Sequence, residues 1–135
     1  MAIGDDPPDR THVLGLDRDV ADIAAVRRWA RSSLPGVDED DLGDVLLVLT
    51  ELVSNVHDHA AFPARVELRW SPHAHLVRIA VQDGSTSPPQ LRRFSADAAR
   101  GRGLMLVNQL SKQWGVTELA TGKTVWAVLH CTTTP

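Results

Sequence analysis

Residues 41–60 read DLGDVLLVLTELVSNVHDHA, and the folding of this stretch decides most of what surrounds it. Apolar residues stand at 42, 45, 46, 49, 52, 53 and 56, the recurrence of an α-helix with one buried stripe. Asp38, just upstream, has the short acceptor side chain of an N-cap. Glu39, Asp40 and Asp41 follow it, with negative charge where the helix dipole favours it. The second half of this helix is different. At 3.6 residues per turn Glu51, Asn55 and His59 share a face beside the stripe, with Asp58 on the same side. A solvated helix face would account for four polar groups. Yet Asn is a poor helix former, and Glu and Asn one turn apart offer a base and an oxygen ligand side by side.

Beyond residue 64 the period changes from 3.6 to two. RVELRW (65–70) alternates Val66, Leu68 and Trp70, and LVRIAV (76–81) alternates Val77, Ile79 and Val81, with SPHAH as the connection. Asp83 keeps that parity and is predicted to point inward, where a carboxylate is costly unless donors meet it; a plain Asp-Gly turn is the alternative. Residues 84–100 read as a loop long enough to be either functional or disordered. GRGLMLVNQL (101–110) sets two glycines before a third helix, a start that suits an anion. WGVTELATGKTVWAVLH (114–130) reads as a hairpin turning at Thr121-Gly122. Upstream, THVLGL (11–16) is a short edge strand, and Val20, Ile23, Val26 and Ala30 mark a first helix over 18–33 that LPG ends. The order predicts an α+β fold: a two-layer sandwich with helices on one face of a mixed, mainly antiparallel sheet.

Composition narrows the function. At 135 residues and 43% hydrophobic content the chain has enough for one domain, expected over 11–135 behind a flexible Asp/Pro-rich segment 1–10. A net charge of −3 with pI near 6.0 speaks against nucleic acid, which needs unopposed Lys and Arg. The lone Cys131 excludes an internal disulfide and suits a reducing cytosol. MAIGDDPPDRT lacks the apolar core of a signal peptide. No apolar run approaches the roughly 20 residues of a membrane span, so a cytoplasmic protein is expected. TGKT (121–124) is not a P-loop: the pattern would need glycine where Thr117 stands, and strand-forming TVWAVL follows instead of a helix. His57 with His59, and His73 with His75, stand two apart with no third ligand in view, which argues against zinc.

ELVSNVHDHA (51–60), VQDG (81–84) and GRGLMLV (101–107) resemble, in order and spacing, the motifs of the GHKL ATPase superfamily of histidine kinases, gyrase, Hsp90 and MutL. Over about residues 12–130 the chain looks most like the small anti-sigma-factor serine/threonine kinases. The resemblance implies a Bergerat-type ATP-binding fold using ATP and Mg²⁺. Glu51 would be the general base, Asn55 would hold Mg²⁺ against the nucleotide phosphates, and His59 is the histidine usual near the end of that motif. Asp83 would accept from the adenine amino group, with Gly84 beside it. Gly101, Arg102, Gly103 and Leu104 would receive phosphate, and Thr124 would help close the adenine pocket. Two departures stand out: the middle motif has only Gly84 where D-x-G-x-G is usual, and Asp58 adds negative charge near Asn55.

The implied partners are a small anti-anti-sigma protein of the STAS type, a sigma factor, and a second copy of the chain in a homodimer. Neither nucleic acid nor a membrane is expected. Nothing before Thr11 supplies the phosphoacceptor helices of a sensor histidine kinase. Arg28 and Trp29 are the expected partner-binding residues, in a first helix where Arg27, Arg28 and Arg31 concentrate positive charge; the alternative is Trp29 in the core and solvated arginines. Arg92, Arg93 and Arg100 make the loop 84–100 a candidate lid over phosphates. The runner-up function is a non-catalytic adaptor of the same fold that binds a protein without transferring phosphate.

Overall fold

The computed structural model describes residues 9–17, 22–59, 61–85 and 105–134. Its elements are β1 (Arg10–Leu16), α1 (Ile23–Ser33), α2 (Glu39–His59), β2 (Ala64–Ser71), β3 (Leu76–Asp83), β4 (Gln113–Leu119) and β5 (Gly122–His130), with helix also at 105–110. The five strands form one sheet in the order β1-β2-β3-β5-β4. Every ladder is antiparallel, and the expected two-layer α+β arrangement holds.

α2 forms where the apolar stripe required it. Its start is capped by Asp38, whose Oδ2 accepts from the N–H groups of Asp40 (3.1 Å) and Asp41 (3.3 Å), supplying acceptors that the first turn lacks. Val45, Val48, Leu49, Leu52, Val53 and Val56 are buried and form one core with the inward rows of the sheet. Those rows are Val66, Leu68 and Trp70 on β2, Val77, Ile79 and Val81 on β3, and Val125, Ala127 and Leu129 on β5. The register sets them directly opposite one another, as in Leu68↔Ile79↔Ala127. Cross-strand alternation therefore continues over three strands without a slip.

Three boundaries differ from expectation. α1 begins at Ile23, where Asp22 caps it by accepting from the Ala24 N–H (3.0 Å); residues 18–21 lie outside the described residues. β1 begins at Arg10, opposite Trp70, and Asp9 pairs with Arg69 at 2.8 Å; residues 1–8 lie outside. The last hairpin turns at Ala120-Thr121, one residue early, and Gly122 already pairs with Leu119. The glycine serves a close approach instead. A Cβ at Gly122 would run into the carbonyl oxygen of Asp83, so β5 can start beside the end of β3 only with glycine there.

Candidate functional site

α2 and β3 finish at the same end of the sandwich, and backbone hydrogen bonds join them. The Ala61 N–H donates to the Val56 carbonyl (3.2 Å), and the Gly84 N–H donates to the Ala61 carbonyl (3.3 Å). Motifs more than twenty residues apart in sequence thereby meet.

Opposite its buried stripe, α2 presents Glu51, Ser54 and Asn55, all half-buried, and Asp58, which is exposed. Burial, and then the charge of Asp58, hold the Glu51 carboxyl above its ordinary range. A carboxylate made more basic by desolvation and a like charge is suited to accepting a proton. Asn55, one turn on, carries a neutral amide oxygen on the same face. His57 faces elsewhere: its ring packs edge-on to Phe62, centroids 5.5 Å apart, and its Nε2 is buried without a hydrogen bond. The side chain of His59 lies outside the described residues. Among the described residues no three His, Cys, Asp or Glu side chains are grouped to hold a metal ion.

Asp83 points inward, as its parity required, and is 6% exposed. Its donors come from an unexpected residue. Lys123, 4% exposed, faces it across the β3–β5 ladder, with Nζ 3.0 Å from both Oδ1 and Oδ2. The Ser85 N–H also donates to Oδ1, at 2.8 Å. Gly84 is exposed, and a side chain there would meet nothing within 4 Å. Thr124 is not brought to Asp83. It pairs with Gln82 and lies on the face of the sheet opposite the core, in a cavity of about 130 Å³ lined by Arg65, Glu67, Arg78, Ala80 and Gln82. Strand alternation is the reason: with Val125 inward, Thr124 must face out and Lys123 in.

Sequence reasoning missed Lys123, although the signal was present. Extending the inward row Val125, Ala127, Leu129 back by two reaches it. Gly101, Arg102, Gly103, Leu104 and the loop from 86 to 100 lie outside the described residues.

On α1, Arg28 is exposed and lines a groove of about 270 Å³ with Ala24, Arg27, Arg31 and Leu46. Arg27 donates to Thr50 Oγ1 (2.9 Å), which bridges α1 to α2, and Arg31 pairs with Glu39 (2.8 Å). Trp29 is half-buried and packs against the core. The structure thus separates the expected pair into an exposed arginine and a tryptophan that anchors the helix.

The comparisons with known proteins bear on this geometry. Among curated proteins no sequence match is found. The RsbU and RsbW domains of Rv1364c from Mycobacterium tuberculosis match with a TM-score of 0.63 at 19% identity, over 90% of this chain and 32% of that one. The histidine kinase domain of the Erythrobacter litoralis EL346 blue-light activated histidine kinase matches with a TM-score of 0.53 at 19% identity, over 80% of this chain and 58% of that one. At such identities the likeness is one of fold, and the chain spans less than two thirds of either. The family model of the histidine kinase-like ATPase domain matches residues 16–129. With α2, β3, β4 and all of β5 but its last residue inside that span, the chain belongs to the histidine kinase-like ATPase domain family.

Proposed function

We propose that this chain binds Mg-ATP along the polar face of α2 and phosphorylates Ser or Thr on a small STAS-type anti-anti-sigma partner. The observation that carries the reading is the pairing of Glu51 and Asn55 on one face of α2, with Glu51 made more basic by burial and Asp58, in a chain of this family. Glu51 accepts the proton of the attacking hydroxyl, and burial, aided by the charge of Asp58, keeps that carboxylate basic. Asn55 would hold the metal through its amide oxygen. A single neutral oxygen fits Mg²⁺, which keeps most of its waters and takes its remaining ligands from phosphates. When bound, the ion supplies neutralisation of charge on the transferring phosphoryl group. The exposed Arg28 and its groove suit an acidic protein surface, of the partner, a sigma factor or a second copy of the chain. The cytoplasm is the compartment such partners imply, and no described helix is long and apolar enough to cross a membrane.

The test is phosphate transfer from labelled Mg-ATP to a panel of STAS proteins. Wild type is expected to label a partner, and Glu51→Ala to bind nucleotide yet lose about 10²–10⁴ in rate, the usual worth of a general base. Transfer at the wild-type rate by that variant removes Glu51 from the mechanism. One observation favours the adaptor reading: Lys123 covers Asp83, the carboxylate assigned to adenine. Nucleotide and partner binding with no labelling of any STAS protein would establish that reading instead.

A further inference from the structure

A buried ammonium at a nucleobase carboxylate changes what the site can read. Both oxygens of Asp83 accept from Lys123 Nζ at 3.0 Å, and Oδ1 accepts a second bond from the Ser85 N–H. Among the described residues one acceptor direction remains, on Oδ2, and the side chains of Lys123 and Asp83 are only 5% and 4% exposed. Gly122 holds the strand ends close at this point, because any Cβ there would meet the Asp83 carbonyl.

We propose that Lys123 determines the ligand class of the site: its ammonium occupies the carboxylate that would read the base, so the chain recognises the magnesium polyphosphate and not the purine. This rests on the nucleotide reading given above. Hydrogen bonds between two ionised groups are about twice as strong as those of a neutral amine. An adenine amino group entering here would replace such bonds with a weaker one. It would also strand a cation in the interior, where burial makes an unpaired charge costly. Guanine fares no better, since its donors face the same occupied carboxylate. The triphosphate contacts on α2 are untouched by this pair.

Titration calorimetry of Mg-ATP, Mg-GTP and Mg-tripolyphosphate into the wild-type protein, Lys123→Met and Lys123→Arg tests the assignment. In wild type and Lys123→Arg the three ligands are expected to bind within about tenfold of one another, since no base contact discriminates. Lys123→Met, which keeps the apolar stem and removes the charge, is expected to bind ATP at least about tenfold more tightly than wild type and to prefer it over GTP. An unchanged ATP affinity in Lys123→Met, with ATP still bound, overturns the role of Lys123 and leaves the nucleotide site standing. If Lys123→Met does not fold, the wild-type titration decides alone: a preference for ATP over tripolyphosphate well beyond tenfold refutes the proposal. Binding of none of the three to wild type or to a folded Lys123→Met overturns the nucleotide reading and the assignment together.

Discussion

The Asp83–Lys123 pair makes a stability prediction that can be worked from its surroundings. Lys123→Met leaves a carboxylate buried with one backbone donor, and Asp83→Leu leaves a buried ammonium and deprives the Ser85 N–H of its acceptor. Removing one partner of a buried ion pair costs about 3–5 kcal/mol. The lost Ser85 bond adds about 1 kcal/mol to the Asp83 variant, so it is the costlier of the two. For a chain of this size roughly 4 °C of Tm goes with each kcal/mol, which puts Lys123→Met about 12–20 °C and Asp83→Leu about 16–24 °C below wild type. The double variant Asp83→Leu/Lys123→Met is different, because replacing a whole buried pair by apolar groups is often neutral or stabilising. It should sit within about 1–2 kcal/mol of wild type, the residue of the Ser85 bond. Urea unfolding followed by tryptophan fluorescence closes the cycle, with a constant m-value required for the comparison. Singles within about 1 kcal/mol of wild type, or a double as unstable as the sum of its singles, would refute the reasoning, since neither fits a desolvated pair.

Burial and Asp58 raise the Glu51 pKa above 4.5, so the folded state holds that proton more tightly than the unfolded one, and stability is lost as pH rises from 4.5 through the folded value. Glu51→Gln should therefore melt slightly above wild type at neutral pH, with the gap closing at about pH 4; a lower Tm for the variant at neutral pH contradicts this. Cys131 is fully buried, and desolvation followed by the charges of Asp41, Asp44 and Asp38 pushes its thiol up to about 12. A thiol reagent at mildly alkaline pH should label it at least about 10³-fold more slowly in native buffer than in urea, and comparable rates would show that this side of the core opens freely. Arg28→Glu should leave melting and nucleotide affinity unchanged while weakening partner capture at least about tenfold. Capture at the wild-type level moves the interface away from α1.

What could be read in advance follows from which forces are local. α2 was legible in full, because its cap, its acidic first turn and its stripe all lie within one continuous segment. The inward rows of β2 and β3 were legible for the same reason, and so was the inward aim of Asp83. Lys123 was legible only as an inward side chain; that it meets Asp83 depends on β5 lying beside β3 with β4 on the outside, a crossover that no local pattern encodes. Gly122 misled in the same way. A glycine after threonine reads as a turn residue, while its use is tertiary, to let two strand ends approach. Thr124 was assigned by motif position without following the alternation of its strand, which turns it to the opposite face. Trp29 shows that an aromatic on a basic helix face can belong to the core that the helix closes.

In the proposed function, phosphate and metal bind on the polar face of α2. A titration of Mg-ATP followed by backbone amide NMR tests it most directly, because it locates the ligand without requiring a partner or turnover. The shifts are expected at Glu51, Ser54, Asn55 and Asp58, and Asn55→Ala should reduce them. Absence of any shift at millimolar nucleotide, or shifts confined to the Arg27, Arg28 and Arg31 groove of α1, would contradict it.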